Sequence, residues 1–160
     1  DDYFKKVTSR RNFMLNPPLS LQLREGTQDS HRLAESTSFI RTLFAGNLTI
    51  PQYRNFLLQL YAVYTALEEY PDTLIGHNEL RKIYFPELFR SSRLSSDLDL
   101  FFGKENWKSI PVLQSTQEYV DRIRFIRNQK TYAIVAHHYT RYLGDLSGGQ
   151  AMKRIVLNTP

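Results

Sequence analysis

Hydrophobic positions along this chain recur at helical rather than strand spacing. The clearest stripe follows Pro51, where Tyr53, Leu57, Leu60, Tyr64 and Leu67 repeat at offsets of four, three, four and three, which lines them up on one face of a helix. Proline suits the first turn of such a helix, and Pro71 is its expected stop. An earlier helix opens at Pro17 and Pro18 and carries Leu23, Thr27, His31 and Ala34 along one face. Between these two, Ser36 to Ser38 offer caps for a short helix ending at Gly46 and Asn47. A weaker helix around residues 73–83 leads into Phe85-Pro86, and another around 94–102 closes at Gly103. Ser115 with Glu118 three residues on has the form of a capping box for a helix bearing Tyr119, Ile123 and Ile126. The last helix starts near Thr131 and runs through Gly144, Gly148 and Gly149. No apolar–polar alternation of strand length stands between turn residues. The pattern predicts an all-α fold, a compact bundle of about six helices over residues 17–160, behind an extended basic segment over residues 1–16.

Composition narrows the chemistry. A 160-residue chain with 41% hydrophobic residues builds one core without staples. With no cysteine, thiolate-held zinc, iron–sulfur clusters, disulfides and cysteine nucleophiles are excluded. The net charge of +5 comes from scattered Lys and Arg, so no nucleic-acid partner is expected. No run of about 18 apolar residues marks a membrane span. The chain begins at Asp1, with Lys5, Lys6, Arg10 and Arg11 close behind. That composition leads us to expect a processed N-terminus and an organellar location, plastid first, with mitochondrion or cytoplasm as alternatives.

Two segments carry candidate chemistry. The first is Tyr139-Thr-Arg-Tyr-Leu-Gly-Asp-Leu-Ser-Gly-Gly-Gln150. Each of its glycines costs a helix about 1 kcal/mol against alanine, so a helix that keeps three has a reason for them. Gly144 and Gly148 lie four apart on one face, where missing side chains admit either a crossing helix or a flat ligand. Asp145 stands beside them. The second candidate is His31. A lone helical histidine is more often surface or core than a ligand, but two neighbours change the balance. Glu35 is one turn on, placed to accept a hydrogen bond from the ring nitrogen that does not bind metal. Arg24 is two turns back, placed to meet a carboxylate at a ligand's edge. His137 and His138 are adjacent, point about 100° apart on a helix, and read as structural. His77, in a polar stretch, reads as solvated.

The segment from Tyr139 to Gln150 resembles the signature of heme oxygenases. The resemblance extends through Leu23-Arg-Glu-Gly-Thr27 to His31, Leu60-Tyr-Ala-Val-Tyr64, Ala66-Leu-Glu-Glu69 and Ile83-Tyr-Phe-Pro-Glu87. The Leu-Arg-Glu-Gly-Thr run before the histidine is most similar to the cyanobacterial and algal branch. The resemblance implies an enzyme that cleaves heme b to biliverdin, carbon monoxide and ferrous iron, with oxygen and with electrons from ferredoxin or a flavoprotein reductase. It implies that His31 is the proximal ligand of the iron and Glu35 its hydrogen-bonded partner, and that Gly144 and Gly148 let helix backbone lie over the heme. It further implies that Asp145 orders water and helps activate oxygen, with Tyr64 and Arg141 in the polar network behind it, and that Tyr139 and Arg24 meet heme propionates.

Two departures from the family pattern stand out. Gln28 occupies a position where many relatives have a propionate-binding lysine. The chain also stops at Pro160, before C-terminal helices that in the family add basic contacts and an asparagine to the distal side. The alternative expectation is therefore a non-catalytic heme-oxygenase-like subunit that binds heme or fills a place in a larger assembly.

Overall fold

The computed structural model describes residues 17–69, 76, 78–129 and 131–157. The basic segment 1–16, Pro71 and His77 lie outside the described residues. Among these residues every regular element is helical and none is a strand, as the periodicity predicts. The chain divides into two compact units at Ala45–Gly46.

The first unit contains α1 (Leu19–Glu35) and α2 (Ser38–Phe44). Pro18 begins α1 by accepting the N–H groups of Leu21 and Gln22 at 2.9 and 3.1 Å, the role a proline without its own N–H can fill. Thr37 caps α2 through its side chain, which accepts from the Ile40 N–H. The chain then leaves the helix at Gly46 with φ +71°, a conformation that glycine adopts without the Cβ penalty.

The second unit is organised around α3 (Ile50–Glu68). A capping box starts it: Thr49 Oγ1 accepts from the Gln52 N–H, and Gln52 Oε1 accepts from the Thr49 N–H at 2.9 Å. Pro51 marks the same turn in the sequence, while the box itself goes unnoticed there. The apolar stripe buries Leu57, Leu58, Val63, Tyr64, Ala66 and Leu67. Against it pack α5 (Ser91–Phe102), through Leu94 and Leu98, and α6 (Gln114–Gln129), through Val120 and Ile123. Each fully buried leucine or isoleucine stabilises the fold by about 1.5–3 kcal/mol. The C-terminal carbonyls of α3 are covered by Arg127 from α6, which donates to Ala66 O at 2.7 Å and to Glu69 O at 2.5 Å, where the helix dipole favours a cation.

Of the weaker helix expected over 73–83, the described part is α4 (Asn78–Arg81). Two expectations are corrected. Ser115 does not cap α6, which already begins at Gln114. Leu113 O accepts the Gln117 N–H, and Glu118 pairs with the Gln114 side chain instead, so the box-like spacing falls inside the first turn. The last helix is not continuous from Thr131. A 3-10 turn (Thr131–Ala133) precedes α7 (Ile134–His138), a π-helical turn spans Tyr139–Leu143, and α8 (Gly144–Leu157) follows. A π turn accommodates one extra residue per turn, and such turns gather at functional sites.

Candidate functional site

The π turn delivers Asp145 to the first turn of α8. Its Oδ2 accepts from the phenol of Tyr64 on α3 and from Nη1 of Arg90 at the start of α5. Both donors converge on one oxygen, and among the described residues Oδ1 has no such donor. Tyr64 has no exposed surface. Burial first, and its hydrogen bond to Asp145 second, push its pKa up to about 12, so it stays a protonated donor throughout the physiological range. Burial works against the Arg90 charge, yet Asp145 beside it raises the Arg90 pKa above the usual value.

Two cations flank the Tyr64 ring. The guanidinium carbon of Arg90 lies 5.1 Å from the ring centroid and that of Arg141 lies 5.4 Å away, both within cation–π range. Arg141 precedes Asp145 by four residues. Its Nε is buried and has no hydrogen-bond partner among the described residues.

Glu68, one turn beyond Tyr64 on α3, fixes Arg90. Its carboxylate accepts the Arg90 and Ser91 N–H groups at 2.7 and 3.0 Å and the Tyr142 phenol at 2.8 Å. A carboxylate on the first N–H groups of a helix satisfies orphan donors and complements the dipole. Tyr142 in turn packs edge-on to Tyr64 at 5.5 Å. Asp145, Tyr64, Tyr142, Glu68 and Arg90 thus form a closed ring of contacts.

Sequence reasoning brings Tyr64, Arg141 and Asp145 to this site and misses Arg90 and Glu68. The available signal for Arg90 is a basic residue at a helix N-terminus, where the dipole disfavours a cation without a partner. Glu68 has the signal of standing four residues after Tyr64 on one helix.

His137 and His138 are structural, as their adjacency implies. His137 Nδ1 lies 3.1 Å from the Tyr119 hydroxyl. His138 is 5% exposed, stacks on Tyr142 at 5.6 Å, and is pushed down to about pKa 4 by burial.

A Cβ built on Gly144, Gly148 or Gly149 meets no atom of the described residues within 4 Å outside its own turn of helix. Of the two readings of these glycines, the crossing helix finds no neighbour within the second unit, and the open face suits a ligand. Tyr139 is half exposed, and it lines an apolar cavity of about 250 Å³ with Phe89, Val135, Leu143 and Leu146.

In the first unit, His31 Nδ1 lies 3.4 Å from Glu35 Oε1, both side chains largely exposed. That contact engages one ring nitrogen and leaves Nε2 for a ligand bond. Arg24 is exposed two turns back on the same helix. Among the described residues no three His, Asp or Glu side chains cluster as a metal site. A single histidine suits a metal whose other ligands come from a macrocycle. No helix among the described residues is long and apolar enough to cross a membrane.

Comparison with known proteins meets this geometry. The model of the heme oxygenase family matches residues 17–160. A heme oxygenase of Guillardia theta is 42% identical over 146 residues, covering 89% of this chain and 61% of that protein. Heme oxygenase 1 of Synechocystis is 43% identical over 141 residues, covering 88% of this chain and 58% of that protein. The crystal structure of the Synechocystis protein in complex with heme superposes with a TM-score of 0.80 at 42% identity, over 88% of this chain and 64% of that one. The heme oxygenase from Leptospira interrogans superposes with a TM-score of 0.78 at the same identity. The chain thus spans about three fifths of the length of these relatives. It belongs to the heme oxygenase family.

Proposed function

We propose that this protein cleaves heme oxidatively to biliverdin, carbon monoxide and ferrous iron, with oxygen and with electrons from ferredoxin or a flavoprotein reductase. The observation that carries the reading is the held carboxylate: Tyr64 and Arg90 occupy one oxygen of Asp145 beside an open glycine face. Bound heme supplies the iron at which oxygen is reduced and the ring that is opened.

The chain's own residues divide the remaining work. His31 would hold the iron through Nε2, and Glu35, 3.4 Å from Nδ1, would favour the tautomer that leaves Nε2 free. Gly144 and Gly148 present no side chain on their face of the helix, so that a flat ring could come close to the backbone there. Asp145 Oδ1 holds the ordered water through which protons are delivered, while Tyr64 and Arg90 keep Oδ2 from rotating into its place. Arg141, over the Tyr64 ring, adds a positive charge beside this carboxylate. Tyr139 and Arg24 supply a phenol and a guanidinium to the propionates. An organellar setting, plastid first, accords with the basic N-terminal segment and with ferredoxin as donor.

Hemin titration followed by absorbance, with reductant then added under air, tests the reading. The wild type is expected to bind one hemin with the spectrum of a histidine-ligated iron and to convert it to biliverdin. His31→Ala is expected to fold and to lose that ligation and the turnover. Identical titrations and identical turnover for the two proteins would remove His31 from the site. Ligation without biliverdin under every reductant would favour a heme-binding subunit.

A further inference from the structure

On the side of α3 away from Asp145, a cleft of about 240 Å³ opens toward the segment from Trp107 to Arg124. Thr65 lines it and directly follows Tyr64 in the helix, so the two side chains diverge by about 100°. Leu58, Ala62, Val112 and Val120 form apolar walls, and Trp107, 2% exposed, closes it with Tyr61 packed edge-on at 4.6 Å.

The polar groups of the cleft are unevenly chosen. Its two charged lining residues, Lys108 and Arg124, are both cations, whereas their carboxylate partners Glu105 and Glu69 are not part of the lining. Neither cation is used up by its partner. The Lys108–Glu105 pair is more than half exposed on both sides, so solvent screens it and it holds the ammonium only loosely. Arg124 gives Nε and Nη2 to Glu69, which leaves the Nη1 donors of its planar fork. Thr65 adds a buried hydroxyl with no hydrogen-bond partner among the described residues.

We propose that this cleft is a second binding site, for a small monocarboxylate with an apolar body. The walls and Trp107 take the body, and Lys108 and Arg124 take the carboxylate at the rim. At about 30 Å³ per water the cleft has room for about eight waters, enough to seat the apolar body of a molecule of about ten heavy atoms. The site is independent of heme.

Trp107 is the sole tryptophan of the chain, so intrinsic fluorescence of the heme-free protein reads this cleft directly. Octanoate is the probe, and octanol is its uncharged counterpart. The expected result is a saturable change in Trp107 emission with octanoate and a much weaker one with octanol. Lys108→Gln is expected to weaken octanoate binding by roughly three- to tenfold, with helical circular dichroism unchanged. Lys108 is exposed, so that variant folds. Absence of saturation in the wild type, equal binding of octanol, or wild-type affinity in Lys108→Gln would each overturn the proposal.

Discussion

The phenol of Tyr64 donates to the carboxylate of Asp145 across 81 residues of sequence, and it does so at the same oxygen that Arg90 holds. Two donors on one carboxylate oxygen fix the rotation of the group and present the other oxygen. Tyr64→Phe keeps the buried ring and removes one of the two donors. The variant is expected to lose about 1.5–3 kcal/mol of stability, the usual worth of a hydrogen bond to a charged group, measured by urea denaturation. Its hemin affinity is expected to hold while biliverdin formation slows. An unchanged rate would mean that Arg90 alone positions Asp145.

Gly148 separates folding from ligand access. With open space where its Cβ would stand and a helical backbone on either side, Gly148→Ala meets no obstacle in the chain itself. The substitution is expected to raise thermal stability by about 0.5–1 kcal/mol through helix propensity and to weaken hemin binding. Stabilisation with undiminished hemin affinity would show that the glycine face does not meet heme.

His138 predicts an acid limit to stability. Burial, the largest cause, lowers its folded pKa from 6.5 to about 4; Glu68 opposes the decrease, and His137 and Arg127 add to it. A histidine with a depressed folded pKa binds its proton more readily when unfolded. Its contribution is therefore complete above pH 6.5 and is lost as pH falls from 6.5 toward 4. The loss amounts to about 2–3 kcal/mol. Denaturation curves at pH 7.5 and 4.5 are expected to differ by more in the wild type than in His138→Phe, which keeps a ring to stack on Tyr142. Equal pH dependence in the two proteins would place the acid sensitivity elsewhere.

The parts of this protein that were legible in the sequence are those written into local periodicity. The stripe from Tyr53 to Leu67 marked α3, its buried face and the position of Tyr64, because a helix repeats its core contacts every three or four residues. His31 and Glu35 share a face for the same reason, and their side chains meet. Arg90 and Glu68 were not legible. Their relationship runs from a side chain on α3 to the backbone at the start of α5, and no spacing within either helix encodes it. The π turn at Tyr139–Leu143 was hidden because one extra residue in a helix leaves the composition helical throughout. At Ser115 the motif was present but the helix starts two residues earlier than a Ser115 cap implies, with Leu113 O accepting the Gln117 N–H.

The central claim is that Asp145, held through Oδ2, delivers protons through Oδ1 without contributing to heme affinity. Its most direct test is the rate of biliverdin formation per bound heme in wild type and Asp145→Ala, with hemin affinity measured on the same samples. The account predicts nearly equal affinities and a rate lowered by about 10²- to 10⁴-fold, the usual scale of positioned proton transfer. A variant that keeps the full rate, or that loses heme and turnover together, would contradict it.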